Sequence, residues 1–297
     1  MQTPAGDDAL TAFQQQRPRL LGVSYRILGS VVDADDVVQD AWLRWAATDT
    51  AAVDNPAAFL TTVVTRLSID RLRRVKAQRE VYAGPWLPEP VAVDSDPLAA
   101  AELADSLSMA LLVVLETLTP LERAAFVLRE VFDEPYPRVA TILGREETAV
   151  RQLVHRARRH VAERRTRFHA DRLAHAQVVA RFTESCRTAD IESLLDVLAP
   201  DVVLISDGGG VATAPTRPIH GDDKVARFLI GVTALIPTGT EVRIETFNGQ
   251  LGLVARLGDQ AITAIAFTVA DTMVQTLHLI ANPAKLVALD DHPNQLQ

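Results

Sequence analysis

Thr148, Arg151, Gln152, His155 and Arg159 recur at intervals of three and four, which places them on one face of a helix. Their side chains suit base edges and phosphates. Val150, Leu153, Val154 and Ala157 take the opposite face, at the spacing of a buried stripe. Residues 145–167 hold eight arginines against three glutamates. A solvated surface helix ordinarily mixes Glu with Lys, so this excess points to duplex DNA. A second basic run lies over 66–79, where Arg66, Arg71, Arg73, Arg74, Lys76 and Arg79 face only Asp70, and it suits phosphate neutralisation. Residues 33–45 (DADDVVQDAWLRW) are the opposite. Asp33, Asp36 and Asp40 form one stripe with Asp35 alongside, and Val37, Ala41 and Trp45 form another. Such a helix repels DNA and suits a basic protein partner, or is simply capped and solvated.

These residues need helices to carry them. Thr119-Pro120-Leu121-Glu122 is a helix start, with threonine as cap, proline at the first helical position and Glu122 completing a capping box; the helix is expected to run to about Phe132. Pro135-Tyr136-Pro137 breaks the chain and opens a short helix ending near Leu143. Gly144 turns it, and a longer helix follows from Glu146 to about Val161. Together 136–161 read as a helix-turn-helix. Asn55-Pro56 starts the helix that carries the basic run, and the loop over 47–54 precedes it. Residues 83–97 hold four prolines and read as a linker, with a second helical block from about Ala99 to Arg167. After about His169 a helical stretch gives way to alternating segments at 241–245, 251–257, 261–269 and 273–281, the texture of strands.

The 297 residues allow two or three domains. The N-terminal residues lack a basic start and an apolar stretch, so no signal peptide is expected, and no apolar run is long enough to span a membrane. Cys186 is the single cysteine, which leaves no disulfide framework or metal cluster and fits a reducing cytoplasm. The net charge of −8 is unevenly spread: residues 169–297 carry 9 basic and 15 acidic side chains. That part should avoid DNA, or compete with it for the basic helix.

The order acidic helix, basic helix, linker, helix-turn-helix resembles bacterial sigma factors of the extracytoplasmic-function group. The matching stretches are ADDVVQDAWLRW, FLTTVVTRLSIDRLRR, LTPLERAAFVLREVF and VATILGREETAVRQLVHRARR. The resemblance implies that Asp33, Asp36 and Asp40 meet the β′ clamp of core RNA polymerase, with the β subunit as a further contact. It implies that the 47–74 segment melts and reads the minus-ten element, and that the helix-turn-helix reads the minus-thirty-five element. Arg145 stands where relatives often have a small capping residue, which leaves the start of the recognition helix open. Tyr82 to Pro90 (YAGPWLPEP) looks like the linker of the subgroup with a fused SnoaL-like domain. Asp207-Gly208-Gly209-Gly210 and Asn248-Gly249-Gln250 look like two motifs of that extension; in the family the second continues with proline, here with Leu251-Gly252.

The implied organisation is two all-α sigma domains, region two over 1–82 and region four over 106–168, joined by a linker over 83–105. An α+β cone with a curved, mostly antiparallel sheet follows over 169–297. In that subgroup the extension is thought to regulate the sigma core directly. Trp86, Leu87, Pro88, Asp207, Gly208, Gly209, Gly210, Asn248, Gly249 and Gln250 are then the regulatory residues, with the extension touching both linker and region two. Trp86 could pin the linker to region two or be held by the extension. The glycine run is either a mobile hairpin tip or a surface that backbone can approach closely. Some SnoaL-like proteins are enzymes, with a carboxylate base and a phenolic donor. The three tyrosines, Tyr25, Tyr82 and Tyr136, all lie outside 169–297, leaving Asp207, His220, Asp271 and His278 as polar candidates; His278 in a strand reads as a hydrogen-bonded core residue. No catalytic residue, cofactor or metal is expected, and a small ligand in the cone stays open as a signal. The rival reading is a one-component DNA-binding regulator with a ligand-binding or enzymatic C-terminal domain.

Overall fold

A computed structural model describes residues 5–79, 81–92, 108–165 and 172–290. The chain divides by its contacts into two units, residues 1–80 with 114–163, and residues 81–113 with 164–297.

In the first unit, α1 (Ala5–Leu28), α2 (Val31–Ala46) and α3 (Pro56–Arg79) bury Leu20, Val23, Ile27, Val37, Ala41, Leu60, Val64 and Leu72 against one another. The expected start signals act as such. Ser30 Oγ accepts from Asp33 N at 3.1 Å to cap α2, and Asn55 Oδ1 accepts from Ala58 N at 2.9 Å to cap α3. Trp45 fills the centre and donates its indole N–H to Ala9 O at 2.9 Å. α4 (Met109–Glu116), of which only the residues from Val114 on belong to this unit, leads to α5 (Pro120–Phe126), whose Thr119–Glu122 capping box is fully formed. The expected helix to Phe132 is α-helical only to Phe126; it winds on as a π turn over Val127–Val131. α6 (Tyr136–Leu143) ends on Gly144 at φ +61°, and α7 (Glu147–Arg165) follows. Glu146 O accepts the first helical bond of α7, from Val150 N, so Arg145 belongs to the turn.

In the second unit, α8 (Arg172–Thr188) and α9 (Ile191–Leu195) precede β1 (Leu198–Asp207), β2 (Ile219–His220), α10 (Asp222–Thr233), β3 (Thr240–Phe247), β4 (Gln250–Leu257), β5 (Gln260–Ala270), β6 (Met273–Ile280) and α11 (Pro283–Leu286). Among the described residues they form a six-stranded sheet in the order β2-β1-β6-β5-β4-β3, antiparallel throughout except between β1 and β6. Register shifts within the β1–β6, β4–β5 and β5–β6 pairs supply the bends that a curved sheet needs. One core cluster joins strand residues Leu204, Leu253, Phe267 and Leu277 to Phe182 and Leu229 of α8 and α10. The other joins Phe247, Val254 and Ile280 to Leu87, Met109 and Leu286.

Leu87 lies in the expected Pro-rich linker over 83–105, where the extension is expected to touch the chain. Residues 81–92 belong to the second unit, with Leu87, Pro88, Glu89 and Pro90 all buried. The prolines hold this strand extended with few donors of its own, which suits it to lie on another surface. The expected helical block from Ala99 falls, up to residue 107, outside the described residues, as does the stretch 166–171 between the two helical parts.

Candidate nucleic-acid surfaces and the linker site

The outward face of α7 is laid out as the spacing required. Thr148, Arg151, Gln152, His155 and Arg159 are exposed, while Val150, Val154 and Ala157 are fully buried and Leu153 is half-buried. Arg151 is held in place before any ligand arrives. Its Nε and Nη2 donate to one Glu147 oxygen at 2.9 and 2.5 Å, and its guanidinium lies 4.3 Å from the Tyr136 ring centre. Arg159 is two-thirds exposed, with Glu163 at 3.6 Å. Two of the eight arginines do something else. Arg156 donates to Glu122 at 2.7 Å and Arg158 pairs with both oxygens of Glu130 at 2.7 and 2.9 Å, fastening α7 to α5 and its π turn.

The basic helix is less free than its sequence suggests. Arg66 donates to Ile142 O at 2.9 Å and Thr141 O at 3.1 Å, the carbonyls at the negative end of α6. Arg71 donates twice to Asp33, at 2.9 and 2.6 Å, and lies 3.6 Å from Asp36; the Asp33 hydrogen bonds raise its pKa. One expected DNA contact and one expected polymerase contact therefore satisfy each other. Arg73 and Arg74 stay exposed and, among the described residues, bond only to Asp70, at 2.9 and 3.3 Å. Asp36 and Asp40 also face outward.

Beneath this face is a buried charge cluster that sequence reasoning missed. Arg123 is fully buried, donates to Arg26 O at 2.8 Å and pairs with Glu116. Glu116 also takes Arg79 at 2.6 Å, and Lys76 donates to Leu118 O at 2.6 Å. Burial lowers the pKa of Lys76 and Arg79, and pushes Arg26 down to about 10. The available signal was Arg123 inside the apolar run of α5.

In the second unit the linker is held at one carboxylate. Asp207, fully buried at the end of β1, accepts from Tyr82 O–H at 2.6 Å, Leu87 N at 2.8 Å and Gly209 N at 3.1 Å. Lys285 Nζ lies 2.6 Å from Asp207 Oδ2, donates to Leu87 O at 2.5 Å and sits 3.9 Å from the Trp86 ring centre. Asn282 Nδ2 donates to Tyr82 Oη at 2.8 Å. Gly209 needs its lack of a side chain: φ is +65°, and a Cβ would collide with the Asn282 amide. The glycine run is thus a closely approached surface, and Trp86 is held by the extension.

Asn248 and Gly249, at φ +49° and +71°, form the β3–β4 turn. Asn248 also clasps the linker, donating its N–H to Val91 O at 2.8 Å and accepting Val91 N–H at 3.1 Å. Ala92 bridges to Phe247, and Gln250 opens β4 opposite Phe247. The sequence reading places Tyr82 in the linker motif without giving its hydroxyl a role, and it missed Asn282 and Lys285. Asn282 also caps α11, its Oδ1 accepting from Ala284 N at 3.1 Å. The polar candidates for catalysis do not converge. His220 is exposed on β2, Asp271 lies in the β5–β6 turn, and His278 is buried in β6 with Nδ1 unpaired among the described residues. The expectation of a hydrogen-bonded His278 is therefore not met at that nitrogen.

Residues 12–78 match the sigma-70 region 2 family and residues 108–161 the sigma-70, region 4 family. The ECF RNA polymerase sigma factor SigJ of Mycobacterium tuberculosis is 40% identical over 291 residues, covering 93% of this chain and 92% of that protein. The chain belongs to the extracytoplasmic-function sigma factors. The crystal structure of SigJ matches with a TM-score of 0.74 at 38% identity, over 94% of this chain and 98% of that one. The probable ECF sigma factor SigI of the same species is 28% identical over 94% of this chain and 95% of its own length. The match runs over both sigma regions and the C-terminal domain and decides against the one-component regulator. As a member of this family the protein recognises promoters for core RNA polymerase. No helix among the described residues is long and apolar enough to cross a membrane.

Proposed function

We propose that this sigma factor reads promoters with two surfaces and is regulated, without catalysis, by its own C-terminal domain acting on the linker in the cytoplasm. Thr148, Arg151, Gln152 and His155 read base edges of the minus-thirty-five element in the major groove, and Arg159 holds phosphate. Arg73 and Arg74 grip phosphates near the minus-ten element, while Asp36 and Asp40 engage the polymerase clamp. Arg66, Arg71 and Asp33 join those surfaces when their present partners release them. Region two then ends near residue 80 and region four lies over about 108–161, with 81–92 serving the regulatory domain.

The observation that carries the regulatory part is the buried Asp207, which binds both side chain and backbone of the linker together with Lys285. Tyr82 supports a non-catalytic reading, since its hydroxyl is committed to Asp207 and Asn282. The test is promoter-specific transcription with purified core polymerase, comparing the full-length protein with Trp86→Ala and Asp207→Ala. Both substitutions are expected to change initiation by severalfold while leaving core binding intact. Unchanged transcription in both would overturn the regulatory role.

A further inference from the structure

A cavity of about 410 Å³ opens between α8, α10 and the sheet, walled by Phe182, Leu229, Leu253, Ile265 and Leu279. Its size falls within the roughly 300–1,000 Å³ of small-molecule sites. The polar groups that face it are few. Thr183 and Thr233 are satisfied within their own helices, donating to Val179 O at 2.6 Å and Leu229 O at 2.8 Å. Thr240 Oγ1 is buried and has no hydrogen-bond partner among the described residues, a costly arrangement unless something occupies the space beside it. The charged residue at the rim, Arg187, is already paired with Glu184 at 2.6 Å, and no carboxylate lines the wall. Burial pushes the Cys186 thiol up to about 12, so it adds no charge at neutral pH.

A second, more open cavity of about 800 Å³ shares Val232, Ile236, Ile262 and Thr263 with the first and reaches Thr213, Ala214 and Pro215. Those three residues continue the glycine loop. Ser206 Oγ donates to Pro215 O at 2.7 Å, Ala214 packs where a side chain on Gly208 would stand, and Thr216 packs against Gly84 of the linker. One loop thus lines the second cavity, which shares a wall with the first, and meets the linker on its other side.

We propose that the cavity binds a neutral, mostly apolar small molecule carrying one hydrogen-bond acceptor for Thr240, and that occupancy alters the hold of the Asp207 loop on the linker. The second half rests on the linker regulation proposed above. A charged ligand would find no counter-ion, and a strongly polar one would leave its groups unsatisfied against aliphatic walls.

The neutral naphthyl ketone prodan serves as probe, since its emission moves to the blue in apolar surroundings. Titrated into the full-length protein it should bind saturably with a blue shift. Ala255→Phe, which fills the cavity, and Val232→Trp, which closes its rim from the outer side of α10, should each abolish that signal. The second keeps the test valid if the first fails to fold. Thr240→Val should weaken binding about fivefold, the worth of one hydrogen bond of about 1 kcal/mol. Hydrogen exchange at the Leu87 amide should change by at least about threefold on saturation. No saturable binding, or binding indifferent to both blocking variants, overturns the site. Saturable binding with unchanged exchange at Leu87 overturns the coupling. The Asp207→Ala transcription assay, which needs no probe, separates failure of the linker regulation from failure of either.

Discussion

Removing the Asp207 carboxylate should release the linker, and the size of the effect follows from what it leaves behind. Asp207→Ala strands the Lys285 ammonium, whose side chain is 7% exposed, and orphans the donors Tyr82 O–H, Leu87 N–H and Gly209 N–H. Breaking a buried pair by removing one partner costs about 3–5 kcal/mol. At about 1.4 kcal/mol per tenfold, exchange of the Leu87 amide should accelerate by roughly two to three and a half orders of magnitude. Lys285→Met should cost less, about 3 kcal/mol, because Asp207 keeps its three neutral donors. In the double variant no unpaired charge remains, so its loss should fall short of the two single losses combined by about 2–3 kcal/mol. Hydrogen exchange read by mass spectrometry on peptides covering 82–91 measures all three. An acceleration below about tenfold in Asp207→Ala, or strictly additive losses in the double variant, would refute the view that this ion pair fastens the linker.

Other outcomes follow from the two units. Arg151→Ala should lower promoter-specific initiation at least about fivefold, one bidentate base contact being worth about 1–3 kcal/mol, with core polymerase binding unchanged; loss of core binding in a pull-down would mean the face is misassigned. Arg66→Ala should cost about 1 kcal/mol in urea unfolding of the first unit, since its two carbonyl bonds are partly exposed, whereas Arg73→Ala should stay within about 0.5 kcal/mol; equal effects would contradict the assignment of Arg66 to the α6 carbonyls. Burial holds His278 neutral with its pKa lowered to about 4 from 6.5. The unfolded chain therefore takes up a proton that the folded one refuses as pH falls from 6.5 to 4. Stability of the second unit is greatest above 6.5 and should drop by about 3 kcal/mol across that window. His278→Leu should flatten that slope in pH-dependent melting, and an unchanged slope would exclude His278 as its source.

Much of this architecture was legible because local signals and burial agree. The capping box at Thr119 and Glu122, the turn at Gly144 and the opposite stripes of α7 are read correctly from spacing alone, since each depends on residues within one or two helical turns. The strands announced themselves by alternation over 241–281. What stayed hidden depends on contacts distant in sequence. Nothing local distinguishes Arg66, bound to α6 carbonyls, from Arg73, which remains exposed. Tyr82 and Lys285 meet at Asp207 across separations of 125 and 78 residues. The π turn at 127–131 replaces an expected α-helix because its alternatives share the same apolar pattern.

The linker stretch over 81–92, buried at 87–90, also bears on how deletions behave. Cutting the chain after region four removes β1, the β3–β4 turn and α11, and with them every described partner of Leu87 N–H, Leu87 O and Val91. The remaining fragment is then not the promoter-reading core in its natural form with a regulator subtracted. It carries a newly bare apolar segment in the middle of its tether, with an amide, a carbonyl and the Leu87 side chain returned to water. Such a fragment can self-associate or fail in transcription for reasons of solubility alone. Substitutions that loosen Asp207 while leaving the domain in place separate lost regulation from lost solubility.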